Sequence, residues 1–213
     1  MSWKPPANAT YHSLVVPTVD SQRNKYVLQT CVAHRIHSMS VGVTGTGKTV
    51  LINQILGELD ENSWKINNII FSSQTSSIKT QDMIEGKMTR RTKTKMVPDG
   101  KKMVIYCDDM NMPKKDTYGS QPPLELLRQW MDYGGWFDRV QNDIFKKIED
   151  VQFISSMGPP GGGRNEISRR IQSKFAMINF TFPSESQVRR IFHSILSHKF
   201  ATQEFDDEIK QTS

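Results

Sequence analysis

The residues Gly42-Val43-Thr44-Gly45-Thr46-Gly47-Lys48-Thr49 complete the pattern G-x-x-x-x-G-K-[ST]. Each type in it has a chemical use. Glycines let a backbone wrap close to an anion at φ values that other residues avoid. The exposed N–H groups of such a turn, and of a helix starting just after it, bind phosphate. Lys48 would reach the β- and γ-phosphates and the Thr49 hydroxyl would ligate Mg²⁺. The alternative is a glycine turn with a surface lysine. It is disfavoured because a candidate strand precedes the turn and a strongly periodic helix follows it.

A second set lies downstream. Met103-Val104-Ile105-Tyr106-Cys107-Asp108-Asp109 is a short apolar run closed by two acids. Asp108 would hold Mg²⁺ through water, and Asp109 would polarise the attacking water. Capping is the other reading for either aspartate. Cys107 reads as core.

These groups need elements to position them. Residues 1–18 are Pro-rich and polar and read as extended. A helix is predicted over Val19–His34 and a weak strand over Ile36–Val43. Leu51, Ile52, Ile55, Leu56 and Leu59 recur at helical spacing over 48–59. A strand is predicted at Ile66–Phe71, a helix at Ile78–Met88 and a buried parallel strand at Met103–Cys107. Pro122 and Pro123 open a helix lined by Leu124, Leu127 and Met131. Val151–Met157 and Ala176–Phe182 read as strands, the latter stopped by Pro183. Ser184 and Gln187 form a capping-box pattern at the head of a last helix. Strands alternate with helices, so the fold class is α/β, three layers around a mostly parallel sheet.

Composition bounds the rest. The chain has 213 residues, 36% hydrophobic and 23% charged, enough for a real core and too balanced for a disordered class. It has no run of about 18 apolar residues, so no membrane span is expected. Met1–Pro6 lacks the apolar segment of a secretory leader. Cys31 and Cys107 make no disulfide framework, which fits a reducing compartment. The scattered histidines predict no structural metal site. The net charge of +6 is concentrated: residues 87–102 hold seven bases and one acid. Such a stretch is either a patch for an acidic partner or nucleic acid, or a solvated hairpin. The lack of stacking aromatics favours the hairpin.

Longer segments carry a family likeness. Asp108-Asp109-Met110-Asn111-Met112-Pro113, Tyr118 to Gln129, Gly134-Gly135-Trp136-Phe137-Asp138 and Met157 to Asn165 resemble dynein heavy chains. So does Val16-Pro17-Thr18-Val19-Asp20. Together they are similar to the third AAA+ module of an axonemal (ciliary) dynein heavy chain, from about Trp3 to Phe200. The resemblance implies a P-loop NTPase of AAA+ type that binds ATP or ADP with Mg²⁺. It implies neighbouring AAA+ modules as direct partners. Through a parent motor it implies intermediate and light chains and microtubules, and an address in the ciliary axoneme. No nucleic acid and no membrane are expected as partners. The expected division is a lead-in over 1–35, a large α/β subdomain over 36–183, and over 184–213 the start of a small lid that is otherwise largely missing.

The sequence departs from AAA+ modules that hydrolyse ATP. Asp109 stands where Glu is usual, and a misplacement of ~1 Å can cost about 100-fold in rate. Gly158 stands where a polar sensor, often Asn, is usual. The resemblance implies an arginine finger at Arg170, directed at a neighbouring module's nucleotide, while Ser173 replaces a second arginine. The strand before the glycine turn is more polar than the family's, which predicts a weaker sheet centre. The implied function is regulatory, with weak or absent hydrolysis. Two alternatives stay open. One is a nucleic-acid-acting, helicase-like AAA+ ATPase, distinguished by salt-dependent nucleic-acid binding. The other is a truncated fragment without function.

Overall fold

The computed structural model describes residues 14–139, 141 and 144–202. Residues 14–18 run without regular structure into helix α1 (Val19–Ala33), whose N-cap Thr18 forms a reciprocal capping box with Ser21. Strand β1 (Ser38–Val41) leads through the glycine turn into α2 (Lys48–Gly57). Then come β2 (Trp64–Ile70), α3 (Ser77–Glu85), β3 (Thr89–Thr92), β4 (Lys95–Val97) and β5 (Lys102–Asp108). Helix α4 (Pro122–Tyr133) is followed by β6 (Gly135–Phe137), β7 (Phe145–Ile148) and β8 (Val151–Met157). The last described elements are α5 (Arg169–Gln172), β9 (Ala176–Asn179) and α6 (Glu185–Thr202).

The central sheet runs β2-β5-β8-β1-β9, and each neighbouring pair is parallel. Its side chains alternate between faces, as the pleat requires. Met103, Ile105 and Cys107 of β5 join Ile84, Leu124, Leu127 and Trp130 on the α3–α4 face. Val104 and Tyr106 join Leu28, Val32, Leu51, Ile52 and Ile55 on the α1–α2 face. Three layers with a parallel sheet therefore stand as expected. Lys25 of α1 binds Glu58 after α2 at 2.6 Å, tying the two helices that cover one face.

Boundaries differ from expectation for local reasons. The strand before the glycine turn is shorter, because Ile36 is exposed and His37 turns inward against Trp130. Its polar character is real: Ser38 and Ser40 are buried, and among the described residues their hydroxyls and that of Ser155 have no hydrogen-bond partner. Helix α3 stops at Glu85, with Gly86 as its C-cap, short of the expected Met88. Strand β9 ends at Asn179, although Phe180 N still donates to Val41 O at 2.7 Å. On α4 the buried stripe is Leu124, Leu127 and Trp130, with Met131 packed at its edge. Ser184 and Gln187 form the expected box at the head of α6, through bonds of 3.1 and 3.4 Å.

The basic stretch folds as an antiparallel hairpin, β3–β4, inside a second sheet of order β3-β4-β7-β6. Strands β6 and β7, three and four residues long, have no sequence signal of their own. Acids meet several of the bases: Arg90 binds Asp138 at 2.6 Å and Lys95 binds Glu149 at 2.9 Å. Beneath this sheet Lys146 is buried between Glu85 at 2.8 Å and Asp138 at 3.1 Å. Burial pushes the Glu85 carboxyl up, but donors from Lys146, Gln81 and Trp136 outweigh it and hold the group below its ordinary range.

Candidate nucleotide-binding site

The chemistry-bearing residues meet at the carboxyl ends of the central strands, where open parallel sheets place ligands. Strand β1 ends at Val41, and the turn from Gly42 delivers the chain into α2. Gly45 and Gly47 have φ of 87° and 80°, which β-carbon-bearing residues rarely adopt. A Cβ at either would meet nothing within 4 Å, so the loop faces open space. Gly42 serves a different end: a Cβ there would sit 2.2 Å from Phe180 O, so only glycine lets β9's extension pass.

Lys48 Nζ donates to Gly42 O and Val43 O, both at 2.8 Å, and to Thr46 Oγ1 at 3.4 Å. Its ammonium is thus held within the loop. Burial pushes its pKa down, Asp108 and Asp109 oppose this, and Arg164 adds to it. Thr49 Oγ1 donates to Asp108 Oδ2 at 3.1 Å, joining the loop to the end of β5. The other Asp108 oxygen accepts from the Ser156 hydroxyl and, at 3.0 Å, from Asp109 N. Tyr106 Oη lies 3.2 Å from Ser156 Oγ and extends this chain of hydroxyls into the core. Burial pushes the Tyr106 phenol up to about 12, so it keeps its proton. The donor set fits the groups expected: hydroxyl and carboxylate oxygens are the hard ligands Mg²⁺ takes, and the loop amides with Lys48 suit phosphate.

Asp109 has φ of 51°, a left-handed conformation that Asp adopts more readily than most residues other than glycine. Its Oδ1 accepts from Arg164 Nε at 3.1 Å and lies 3.1 Å from Nη2 in the same ion pair. Gly158 is buried at the end of β8, and the Arg164 side chain covers it: a Cβ on Gly158 would meet Arg164 Cδ and Nε at 3.1 Å. Asn111 secures the same loop, donating from Nδ2 to Gly158 O at 2.9 Å.

Two clefts share Gly45, Gly47 and Val50. One, of about 270 Å³, is lined by the charged side chains of Lys48, Asp108, Asp109 and Arg164, with Thr49. The other, of about 230 Å³, is mostly apolar and lies between the 14–24 segment, Phe180, Pro183 and Ile191. Together they reach the size of small-molecule sites, about 300–1,000 Å³. The charge-lined cleft suits phosphates and the apolar one a base.

The structure therefore brings Gly45, Gly47, Lys48, Thr49, Asp108 and Asp109 together, with Thr44 on the rim. Gly42, Val43 and Thr46 act from within the loop, through the Lys48 bonds. Arg170 is elsewhere. It is exposed on α5 and lines separate clefts beside α4, one of them with Arg128 and Lys174. Sequence reasoning assigned no role to Arg164, Ser156 or Tyr106. A hydroxyl two residues before Asp108, and one that β-pairing sets beside it, carry no motif. The apolar cleft was also missed, although Val16, Thr18 and Asp20 lay in a segment noted for its likeness. Gln187 Nε2 donates to Asp20 Oδ2 at 2.6 Å and ties α6 to that cleft's wall.

Comparison with known proteins agrees with this geometry. A family model described as the P-loop containing dynein motor region matches residues 3–183. Dynein axonemal heavy chain 2 of Mus musculus is 47% identical over 210 residues, covering 98% of this chain and 5% of the relative. A dynein-1-beta heavy chain of the flagellar inner arm I1 complex, from Chlamydomonas reinhardtii, is 44% identical over 213 residues, 100% of this chain and 5% of the relative. Dynein axonemal heavy chain 3 of Homo sapiens is 42% identical over 198 residues, 92% of this chain and again 5% of the relative. The chain thus spans about one-twentieth of the relatives it matches. With a complete phosphate loop joined to an acid-ended strand in a parallel sheet, the chain belongs to the P-loop containing dynein motor region family.

Proposed function

We propose that this chain binds ATP or ADP with Mg²⁺ as the third AAA+ module of an axonemal dynein heavy chain. It contributes nucleotide-dependent regulation to a microtubule motor, and its own hydrolysis is weak or absent. The observation that carries the reading is the Thr49–Asp108 bond of 3.1 Å, which sets the loop and the acidic strand end at one site. Gly42 to Thr49 hold the phosphates. Lys48 would exchange its carbonyl partners for phosphate oxygens, and Thr49, with Asp108 through water, would hold Mg²⁺. A Mg²⁺ ion held there would supply positive charge against the phosphates. Asp109 occupies the water-polarising position. Arg170, exposed and away from this cleft, serves a neighbouring module's nucleotide.

The relatives' names, axonemal and flagellar inner-arm dynein heavy chains, support the axonemal setting. A ring of neighbouring modules and, through the parent motor, intermediate and light chains and microtubules are the partners proposed with it. On this reading 36–183 are the large subdomain, 1–35 the lead-in and 184–213 the start of the lid, of which 1–13 and 203–213 lie outside the described residues. The acids that meet Arg90 and Lys95 support a structural role for the basic hairpin over a nucleic-acid site.

Titration calorimetry with MgATP tests the reading. Lys48→Ala is expected to weaken binding at least tenfold, about 1.4 kcal/mol. Equal affinities would overturn it.

A further inference from the structure

The pairing of Arg164 with Asp109 sits inside the phosphate cleft, and nothing in the core requires it. The Arg164 side chain is 29% exposed and that of Asp109 39%. Both guanidinium contacts converge on a single oxygen, Asp109 Oδ1. The second carboxylate oxygen receives no part of this fork, so the pair is not the bidentate arrangement that gives Arg–carboxylate contacts their strength. The guanidinium also covers Gly158, where the missing side chain makes room for it.

The loop that carries Arg164 is a tight glycine turn, in which Gly161 N donates to Arg164 O and Arg164 N to Gly161 O, each at 3.0 Å. Gly161, Gly162 and Gly163 all have positive φ, at 123°, 58° and 87°. Both ends of this run are fixed. Asn111 Nδ2 donates to Gly158 O, and beyond the arginine Asn165 N donates to Asn111 O and Asn165 Nδ2 to Pro113 O, each at 2.9 Å. The turn and its anchors fix the Arg164 backbone, so what can change partner is its long side chain.

We propose that Arg164 is a specificity-determining residue for the nucleotide: it exchanges Asp109 Oδ1 for the terminal phosphate of a bound triphosphate, and so distinguishes tri- from diphosphate. This rests on the nucleotide reading of the site. The cleft holds two cations, Lys48 and Arg164, against two anions, Asp108 and Asp109. Lys48 and the loop amides serve every phosphate-bearing ligand. Arg164 lies beside Asp109, the water-polarising position, and Gly158, and this is where the proposal puts the terminal phosphate. A planar guanidinium matches a phosphate's oxygens, and Asp109 competes with that phosphate for it. A phosphate contact made in the bound ground state adds affinity and not rate, so Arg164 reads the nucleotide without turning it over.

The experiment compares dissociation constants of the 213-residue chain for the non-hydrolysable triphosphate AMP-PNP and for ADP, both with Mg²⁺. Arg164→Ala is expected to weaken AMP-PNP about tenfold, the worth of one charged hydrogen bond, and to leave ADP within about twofold. Arg164→Lys should lie between. Asp109→Asn removes the competitor and should move the ratio the other way, tightening AMP-PNP relative to ADP. That opposite sign separates the proposal from a general loss of folding. An unchanged AMP-PNP-to-ADP ratio in Arg164→Ala overturns this inference alone. Failure of the unaltered chain to bind either nucleotide overturns the nucleotide reading and this inference with it.

Discussion

Thr49 Oγ1 and Asp108 Oδ2, 3.1 Å apart, are the point where the glycine turn and the acidic strand become one site. The Asp108 carboxylate is aimed there by its other partners, the Ser156 hydroxyl and Asp109 N. Outer-shell partners of metal-binding carboxylates typically change metal affinity by about 10–100-fold. Ser156→Ala is therefore expected to raise the Mg²⁺ concentration that half-saturates ATP binding about tenfold. Tyr106→Phe, one hydroxyl further away, should do less. An unchanged Mg²⁺ midpoint in Ser156→Ala would show that Asp108 is not oriented from β8.

The second sheet hangs on a buried charge cluster. The Lys146 side chain is 7% exposed and touches Glu85 and Asp138 together. Removing one member of a buried pair leaves an uncompensated charge and costs about 3–5 kcal/mol. Lys146→Met should lower the melting temperature by roughly 6–12 °C for ~3 kcal/mol. Lys95, on the same sheet, is 43% exposed and pairs with Glu149, 41% exposed. Lys95→Met should cost less than about 1 kcal/mol. Similar melting shifts for the two variants would mean that Lys146 is not buried against its acids.

His37 gives stability a pH dependence. Burial against Trp130 and Phe175 pushes its pKa down, and its Nδ1 accepts from Phe153 N at 3.0 Å. The unfolded chain, with His near 6.5, binds more protons than the folded one between the folded value and about 6.5. Stability therefore rises with pH through that window. The contribution is complete above about 6.5 and is lost as pH falls below it. The half-buried carboxylate Glu85, whose pKa is lowered from 4.5, acts only further down. The urea midpoint should fall from pH 7.5 to pH 5.5, and His37→Asn, which keeps an acceptor for Phe153 N, should flatten that fall. Equal slopes in both proteins would remove His37 as the cause.

Much of this was legible because the signals are local. The glycine turn declares itself by φ-permissive residues followed by Lys48, and β5 by five apolar residues before an acid. What escaped is what only tertiary pairing creates. Ser156 reaches Asp108 because β8 lies beside β5, a register no local pattern encodes. Strands β6 and β7 take shape only on the edge that β4 offers. Arg164 looks like one more base in a glycine-rich loop until the fold sets it over Gly158. His37 was read as part of a polar strand, whereas its ring packs among aromatics and its neighbours Ser38 and Ser40 are buried.

Turnover is expected to be very slow, for reasons that share one geometry. Asp109 is one methylene shorter than the glutamate usual at its position, and its Oδ1 already accepts two contacts from Arg164. Gly158 offers no side chain to orient water. Restoring one there is not a simple replacement, because a Cβ would press on Arg164 Cδ and Nε at 3.1 Å and the arginine must move first. A further arginine from a neighbouring module is also required on the dynein reading, and such residues contribute about 10³ to 10⁵ in rate in GTPases. The chain by itself should release phosphate from MgATP at less than about 0.1 s⁻¹, against about 10 s⁻¹ for typical enzymes. Asp109→Glu combined with Gly158→Asn should stay under the same bound, since neither substitution supplies the neighbour's arginine. The measurement is steady-state phosphate release, with Lys48→Ala as the blank. A rate near about 1 s⁻¹ above that blank, a value within the ordinary enzyme range, would show that Asp109 and Gly158 suffice for hydrolysis, and the regulatory reading would give way to an active ATPase.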